Sequence, residues 1–172
     1  MSRTPGKGAY AKPEIERRFL VSGQVPHSSQ APREIQDLYL DGLRLRLRRV
    51  NCDGGAVFKL TQKVRPVPDD PHQVSITNIY LDQGEYDRLR RLPGHRLSKT
   101  RTLVNDGNLL WSVDHFHGRL AGLVTSEVEL TSTETEVSLP TWLGSEVTHD
   151  DLYSGGRLAQ ATDIEIALLL AV

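Results

Sequence analysis

The chain has 172 residues, of which 21 are lysine or arginine and 22 are aspartate or glutamate, for a net charge of −1. This balance argues against the broadly basic surface that nucleic-acid-binding proteins usually carry. No run of apolar residues in the sequence is long enough to span a membrane, so we expect no membrane partner.

The length predicts one domain with a substantial core. Residues 1–12 are polar, contain proline and glycine, and lack the apolar segment of a signal peptide. We therefore expect a disordered N-terminal tail over residues 1–12 and a single domain over residues 13–172. The single cysteine, Cys52, has no partner for an internal disulfide and indicates a reducing, cytoplasmic setting.

Residues 14–21 predict the first strand. Side chains alternate with period 2 along a strand, so Glu14, Glu16 and Arg18 share one face and the other face is mostly apolar. Two carboxylates on alternate positions disfavour each other's ionisation unless a cation joins them. This motif alone favours a solvated acidic edge strand, and the alternative is one half of a site for a hard cation such as Mg²⁺.

Leucine and arginine alternate strictly over residues 43–48. The pattern predicts a strand with one apolar face and one cationic face, which carries Arg44, Arg46 and Arg48. No carboxylate stands beside them in this run. Like charges roughly 6.6–6.8 Å apart along one face repel each other, so we expect an anionic group nearby.

The arginine strand belongs to a predicted hairpin. The Asp-Gly-Gly sequence at 53–55 is a strong hairpin signal between two alternating runs. Residues 56–63 return with Lys59, Thr61 and Lys63 on one face. The hairpin therefore pairs one cationic face with a second one.

Three later predicted strands also carry charge on one face. They are residues 97–103 with Lys99 and Arg101, residues 109–116 with Asp114, and residues 124–130 with Glu127 and Glu129. The last strand repeats the E-x-E spacing of the first. His115 and His117 lie next to Asp114, where a metal role is one interpretation and exposed or hydrogen-bonded histidines are the commoner one.

The other elements are predicted from turn residues, caps and periodicity. In the first half of the chain they are a loop at 22–33, a strand at 34–40, a proline-rich loop at 65–71 and a strand at 74–81 with Ile76 and Asn78 on one face. A helix at 82–92 capped by Asp82 and a packed turn at 140–144 follow. The C-terminal region is predicted to hold a helix that Thr148 caps and Gly155 and Gly156 end, and then a terminal helix within 158–172 with Thr162 and Glu165 as a capping box, or alternatively a strand at 164–170. Residues 134–140 have no assignment.

These elements give seven or eight strands, mostly in antiparallel hairpins, and about three short helices, so the fold is predicted to be mainly β (α+β). If the apolar faces pack against helices and loops outside, the charged faces converge on the interior of a closed antiparallel barrel. Such a lumen would be wet and would suit a divalent metal with a polyanion, because arginine binds phosphate oxygens bidentately. The alternation alone leaves open a barrel or sandwich with an apolar core and external charges.

Seven short motifs follow one another over residues 14–159. They are Glu14-Ile15-Glu16 with Arg18, Arg46-Leu47-Arg48, Leu60-Thr61-Gln62-Lys63, Lys99-Thr100-Arg101, Val113-Asp114-His115-Phe116, Glu127-Val128-Glu129, and the segment from Trp142 to Ala159. In this order they resemble the signature of the CYTH superfamily, the triphosphate tunnel metalloenzymes. One such motif is weak, and seven in register are specific.

The resemblance implies an eight-stranded antiparallel tunnel that hydrolyses a triphosphate, most simply inorganic triphosphate, by metal-assisted attack of water. It implies Mg²⁺ or Mn²⁺ as cofactor and a triphosphate-containing small molecule as partner. The implied roles are metal binding by Glu14, Glu16, Asp114, Glu127 and Glu129, substrate binding by Arg46, Arg48, Lys63, Lys99 and Arg101, and catalysis by Glu14, Glu16 and Arg18.

Several positions depart from the family's usual pattern. Arg18 replaces the signature lysine, Ile76 and Asn78 stand where two glutamates are usual, Ser112 replaces another glutamate, and a C-terminal lysine is replaced around Ser154. Two alternatives therefore remain. One is a weakened module that binds polyphosphate or nucleotide without turnover, and the other, with less support, is an adenylate cyclase.

Overall fold

A computed structural model describes residues 9–64, 73–132, 135 and 137–171. Within these ranges, nine antiparallel strands form one sheet. The strands are β1 (Lys12–Val21), β2 (Arg33–Leu40), β3 (Leu45–Cys52), β4 (Gly55–Val64), β5 (Gln73–Leu81), β6 (Gly94–Asp106), β7 (Leu109–Phe116), β8 (Val124–Leu130) and β9 (Leu143–Glu146). The helices are α1 (Gln83–Leu89), α2 (Gly155–Gln160) and α3 (Asp163–Leu170), with short 3₁₀ helices at Gly118–Leu120 and Asp151–Tyr153.

Strand β1 closes this sheet into a barrel. One edge of β1 pairs with β8, and the other edge pairs with β5 near Lys12 and with β9 near Val21. The closed ring is therefore β1-β5-β4-β3-β2-β6-β7-β8, with β9 as an added strand. Closure satisfies the backbone groups that an open sheet would leave at its edges. The predicted eight-stranded antiparallel barrel is confirmed, and the sandwich alternative is wrong.

The hairpin turn predicted at 53–55 and a second hairpin turn, which the sequence Asn-Asp-Gly-Asn at 105–108 also predicts, form where glycine permits them. Gly54 and Gly55 have φ angles of 105° and 135°, in a region that residues with a side chain rarely adopt. The turn between β6 and β7 uses Gly107 at φ 61°. Because turn length fixes strand register, these glycines decide which side chains of the paired strands face each other.

Apolar side chains cover the outside of the barrel. Phe19, Trp111 and Val128 pack with Trp142, which lies just before β9. On the other side, Tyr86 of α1 packs on Leu47 and its neighbours from β2 and β3. The apolar faces of the strands therefore point outward against other elements, which is one of the two arrangements that the alternation left open.

One end of the barrel is closed by the C-terminal helices. Leu20, Leu97 and Phe116 each lie two residues from a charged lumen residue on the same strand, so they share its inward face. These three side chains pack in one buried cluster with Leu158 of α2 and Leu169 of α3. The lumen therefore ends in an apolar floor. The opposite end is where β1 and β4 begin, and we call it the mouth.

None of the described helices is long and apolar enough to cross a membrane.

The arginine strand starts later than predicted. Gly42 has φ 69° and the Leu43 N–H donates to the Leu40 carbonyl, so the turn continues through Arg44 and β3 begins at Leu45. The side chain of Arg44 is exposed. Only two of the three alternating arginines therefore belong to the barrel.

The predictions for the C-terminal region were partly wrong. Thr148 does not cap a helix, because its hydroxyl accepts from the backbone N–H of Arg18 at 2.9 Å, and Asp150 caps the 3₁₀ helix instead. Gly155 begins α2 rather than ending a helix, and part of the predicted turn at 140–144 forms β9. The capping box of Thr162 is confirmed and begins α3, so the strand alternative there is wrong.

Other boundaries differ by a few residues. Helix α1 ends at Leu89 rather than Leu92, although its predicted cap at Asp82 is present and forms a capping box with Glu85. The predicted loop at 65–71 lies outside the described residues, as do residues 1–8 of the predicted tail and parts of 134–140. Lys12, at the end of that predicted tail, belongs to β1.

Candidate active site

Contacts that skip a strand show that the charged faces point into the barrel. Lys63 on β4 reaches Glu14 and Glu16 on β1, although β5 lies between these strands. Arg101 on β6 likewise reaches Glu127 on β8, across β7. The lumen brings together every residue for which the resemblance implied a role; these are Glu14, Glu16, Arg18, Arg46, Arg48, Lys63, Lys99, Arg101, Asp114, Glu127 and Glu129.

Asp114 is the centre of one group of ion pairs. Register places it opposite Arg101, whose Nε and Nη2 donate to both carboxylate oxygens at 2.6 Å. Lys99 Nζ donates to the same carboxylate at 2.5 Å. Burial lowers the pKa of Lys99, although Asp114 opposes this effect. Asp114 is 1 % exposed, and its carboxylate is held in place by the buried Lys99 and the partly buried Arg101.

Arg18 joins the carboxylates of β1 and β8. Its Nε donates to Glu127 at 2.8 Å and its Nη2 donates to Glu16 at 3.2 Å. Glu127 also accepts from Arg101 at 2.9 Å. Burial alone would raise the pKa of Glu127, but Arg18 and Arg101 outweigh it and hold this pKa well below its ordinary value. Glu127 is therefore ionised and bound by two guanidinium groups.

Asp37 is a lumen carboxylate that the sequence did not reveal. It lies opposite Arg48 on the neighbouring strand, and Arg48 donates to both of its oxygens at 2.7 Å. Burial would raise the pKa of Asp37, but Arg48 lowers it to about 2. The sequence predicted an anionic group near the arginine strand without naming it, and Asp37 is such a group. A hairpin register centred on the turn after β2 would have placed this acid opposite Arg48.

Three carboxylates lie nearer the mouth, and we call Glu14, Glu16 and Glu129 the mouth carboxylates. Glu16 stands opposite Glu129 in the β1–β8 register. Burial raises the pKa of Glu14, Lys63 opposes that, and Glu16 and Glu129 raise it further. Lys63 Nζ lies 3.8 Å from Glu14 and 3.6 Å from Glu16, which is longer than a hydrogen bond. Arg18 therefore offsets part of the charge of Glu16, whereas Glu14 has no ion pair shorter than 3.8 Å among the described residues.

The mouth carboxylates fit a hard divalent cation by charge and donor type. Mg²⁺ is commonly held by one or two carboxylates together with substrate phosphates and water. Across the described ranges, no three His, Cys, Asp or Glu side chains already converge on one point. The remaining ligands would therefore come from phosphate oxygens and water.

The β4–β5 side of the lumen has a different character. Ile76 and Asn78, opposite Lys63 and Thr61, lie on the inward face at the positions where the family usually has glutamates. The Thr61 hydroxyl donates to the Asn78 carbonyl oxygen at 2.7 Å, and Ile76 is 5 % exposed. Ser112 is also inward, opposite Glu127. These substitutions therefore reduce the negative charge of the lumen itself.

The two histidines near Asp114 lie outside the lumen. Both are exposed, and His117 Nε2 is hydrogen-bonded to the Thr100 hydroxyl at 2.7 Å. That hydroxyl also donates to Glu34 at 2.7 Å. The hydrogen-bonded interpretation therefore fits His117 on the outer face of the barrel.

Comparisons with known proteins agree with this geometry. No protein-family model matches the chain. An inorganic triphosphatase from Acetivibrio thermocellus is 40% identical over 152 residues, which cover 86% of this chain and 93% of that protein.

Solved structures share the barrel. The structure of the inorganic triphosphatase NE1496 matches with a TM-score of 0.60 at 26% identity, covering 87% of this chain and 95% of that one. A conserved hypothetical protein from Pyrococcus furiosus matches in fold with a TM-score of 0.51 at 14% identity, covering 92% and 91%. On the tunnel fold and the curated relative together, the chain belongs to the CYTH superfamily, the triphosphate tunnel metalloenzymes.

Proposed function

We propose that this protein is a divalent-metal-dependent triphosphatase that hydrolyses inorganic triphosphate to diphosphate and phosphate inside the barrel. The observation that carries the proposal is a lumen in which arginines and lysines face ionised carboxylates. The 40% identity to an inorganic triphosphatase over most of both chains supports the same reaction. The apolar floor leaves the mouth as the route for substrate and products.

Arg46 and Lys63 are the cations that we assign first to the substrate. Arg46 Nε is buried and has no hydrogen-bond partner among the described residues, and its distance to Asp37 is 3.8 Å. An unsatisfied buried donor is costly, and a phosphate oxygen would satisfy it. Lys63 is 37 % exposed and can move from the mouth carboxylates toward a phosphoryl group.

Arg48, Lys99 and Arg101 remain in the proposed substrate-binding set with a second task. Each already binds a carboxylate at 2.5–2.7 Å. These pairs hold the cations in fixed positions on the lumen wall before substrate arrives. Fixed charges stabilise developing negative charge without reorganisation at the moment of reaction.

The mouth carboxylates would hold Mg²⁺ or Mn²⁺ beside the phosphates. The bound metal would neutralise charge on the phosphoryl oxygens and favour in-line attack by water. Asp114 and Glu127 belong to the same predicted ligand set, and their ion pairs orient Arg18 and Arg101 toward the site. Arg18 stays protonated at every physiological pH, so its proposed role is to fix Glu16 and Glu127 rather than to accept a proton.

The test is phosphate release from triphosphate with Mg²⁺ or Mn²⁺. We expect turnover by the wild-type protein and a loss of about two orders of magnitude or more in Glu129→Gln, because a metal supplies several kcal/mol of transition-state stabilisation. Glu129 makes no hydrogen bond or ion pair with any described residue, so this variant should fold. Arg44→Met removes a charge outside the barrel and should keep wild-type turnover. No release from any triphosphate by the wild-type protein would refute the proposal.

The second candidate is a module that binds polyphosphate without turnover. The inward Ile76 and Asn78 favour it, because they remove two acids from the usual set. Calorimetry that shows tight triphosphate binding in a protein without hydrolysis would support this candidate. Assay of ATP for cyclic AMP in the same samples would detect the adenylate cyclase alternative.

The exposed Cys52 fits the predicted cytoplasmic setting.

A further inference from the structure

Lys59 is a lumen cation for which the motifs implied no role. It lies on the inward face of β4, opposite Arg48 of β3 and Tyr80 of β5. Its side chain is half-buried, and its ammonium group is 6.0 Å from the centre of the Tyr80 ring. Over the described part of the chain, Lys59 forms no ion pair with a carboxylate.

This isolation separates Lys59 from the other lumen cations. Arg18, Arg48, Lys99 and Arg101 each donate to a carboxylate at 3.2 Å or less. Burial lowers the pKa of Lys59, and the nearby guanidinium groups of Arg48 and Arg46 lower it further. An ammonium group in this environment is stabilised when an anion joins it.

The position of Lys59 extends the cationic face toward the mouth. Lys63, Thr61 and Lys59 follow one another on the inward face of β4, and β4 begins at the mouth. Four residues of strand separate the two lysines by about 13 Å along the chain. Lys63 lies beside Glu14 and Glu16, and Lys59 therefore lies farther out than the mouth carboxylates contacted by Lys63.

Strand β5, which pairs with β4, offers no negative charge that would repel an anion bound to Lys59. The inward residues of β5 at this level are Ile76, Asn78 and Tyr80, which register places opposite Lys63, Thr61 and Lys59. A glutamate at any of these positions would pair with Lys59 or repel a phosphoryl group. The neutral β5 face thus leaves Lys59 available to a ligand.

We propose that Lys59 is a specificity-determining residue that binds the outermost phosphoryl group of a linear polyphosphate longer than triphosphate. The inference rests on the proposed function, because it assumes that the substrate lies along the lumen. With triphosphate seated at Arg46 and Lys63, a fourth phosphoryl group extends toward the mouth and reaches Lys59. The lumen would then accept tetraphosphate as well as triphosphate.

The experiment compares triphosphate and tetraphosphate in the wild-type protein, Lys59→Met, Lys59→Arg and Arg44→Met. We expect Lys59→Met to lower kcat/KM for tetraphosphate about tenfold more than for triphosphate, mainly through KM, because it removes one charge-assisted contact. Lys59→Arg should restore the ratio, and Arg44→Met, which removes a charge outside the barrel, should leave it unchanged.

Calorimetry with the same two probes measures the same preference without turnover. A ratio of affinities that falls about tenfold in Lys59→Met supports the inference. Equal losses for both probes, an unchanged ratio, or no binding of tetraphosphate by the wild-type protein overturns it. Failure of the wild-type protein to release phosphate from any triphosphate instead refutes the proposed function, and the calorimetric ratio still decides the role of Lys59.

Discussion

The lumen has two walls that differ in whether their cations are hydrogen-bonded to carboxylates. The paired wall consists of Arg18, Asp37, Arg48, Lys99, Arg101, Asp114 and Glu127, in which every cation donates to a carboxylate at 3.2 Å or less. The open wall consists of Lys59 and Lys63 on β4 and the neutral inward face of β5, where the nearest ion-pair distance is 3.6 Å.

The difference separates charges that shape the lumen from charges that can receive a ligand. Buried ion pairs add little net stability relative to apolar packing, but removal of one partner leaves an uncompensated charge and is strongly destabilising. Charges on the open wall have no hydrogen-bonded carboxylate to lose, because Lys63 lies 3.6 Å or more from Glu14 and Glu16. Substitutions on the paired wall should therefore mainly lower the free energy of unfolding, and substitutions on the open wall should mainly change the affinity for the phosphate ligand.

The largest effect is expected from Asp114→Asn. The change leaves Lys99 and Arg101 buried without their shared carboxylate, and the free energy of unfolding should fall by about 3–5 kcal/mol. Chemical denaturation measures this difference. The control is Asp163→Asn, which removes an exposed ion pair with Arg119 and should cause no measurable change. Similar midpoints for both variants would remove the distinction between the two walls.

A smaller effect is expected from pH at Asp37. Its pKa is depressed in the folded protein, so its ionised form contributes stability above the unfolded pKa of about 3.9, and that contribution is lost as pH falls toward about 2. The contribution is roughly 2 kcal/mol. Denaturation midpoints between pH 5 and pH 2 should therefore fall more steeply for the wild-type protein than for Asp37→Asn. Parallel pH profiles would contradict the assignment.

The smallest effect is expected at the mouth carboxylates. The pKa of Glu14 is raised in the folded protein, so its ionisation opposes folding at pH above that pKa, and the penalty disappears below the unfolded value. Glu14→Gln should therefore raise the denaturation midpoint slightly at pH 7 and not at pH 3. Mg²⁺ should stabilise the wild-type protein more than this variant, because binding to the folded state raises its stability. Equal stabilisation by Mg²⁺ would show that Glu14 is not a ligand.

The alternation of charged and apolar residues carried most of the fold prediction. The E-x-E runs at Glu14 and Glu127 and the arginine run at Arg46 each repeat over several positions, and period 2 then fixes which side chains share a face. The alternation left open which face is inward, and the resemblance to the tunnel enzymes implied that the charged face is. Turn glycines fixed the register of the hairpins that follow Cys52 and Asp106. Periodicity and turn chemistry together therefore located all the charged lumen residues that the motifs contain.

Residues that lack a repeating pattern were missed. Asp37 is a single acid in a mixed strand, and only the pairing of β2 with β3 reveals its role. Strand β9 has four residues, and its pairing with β1 decides its conformation more than its own sequence does. The isolation of Lys59 depends on the neutral face of β5, which is a property of two strands together.

The decisive measurement is a crystal structure with triphosphate and Mn²⁺ bound. We predict triphosphate inside the barrel against Arg46 and Lys63, and Mn²⁺ bound by the mouth carboxylates together with phosphate oxygens. Triphosphate on the outer surface, or Mn²⁺ held only by Asp114 after release from Arg101, would contradict it.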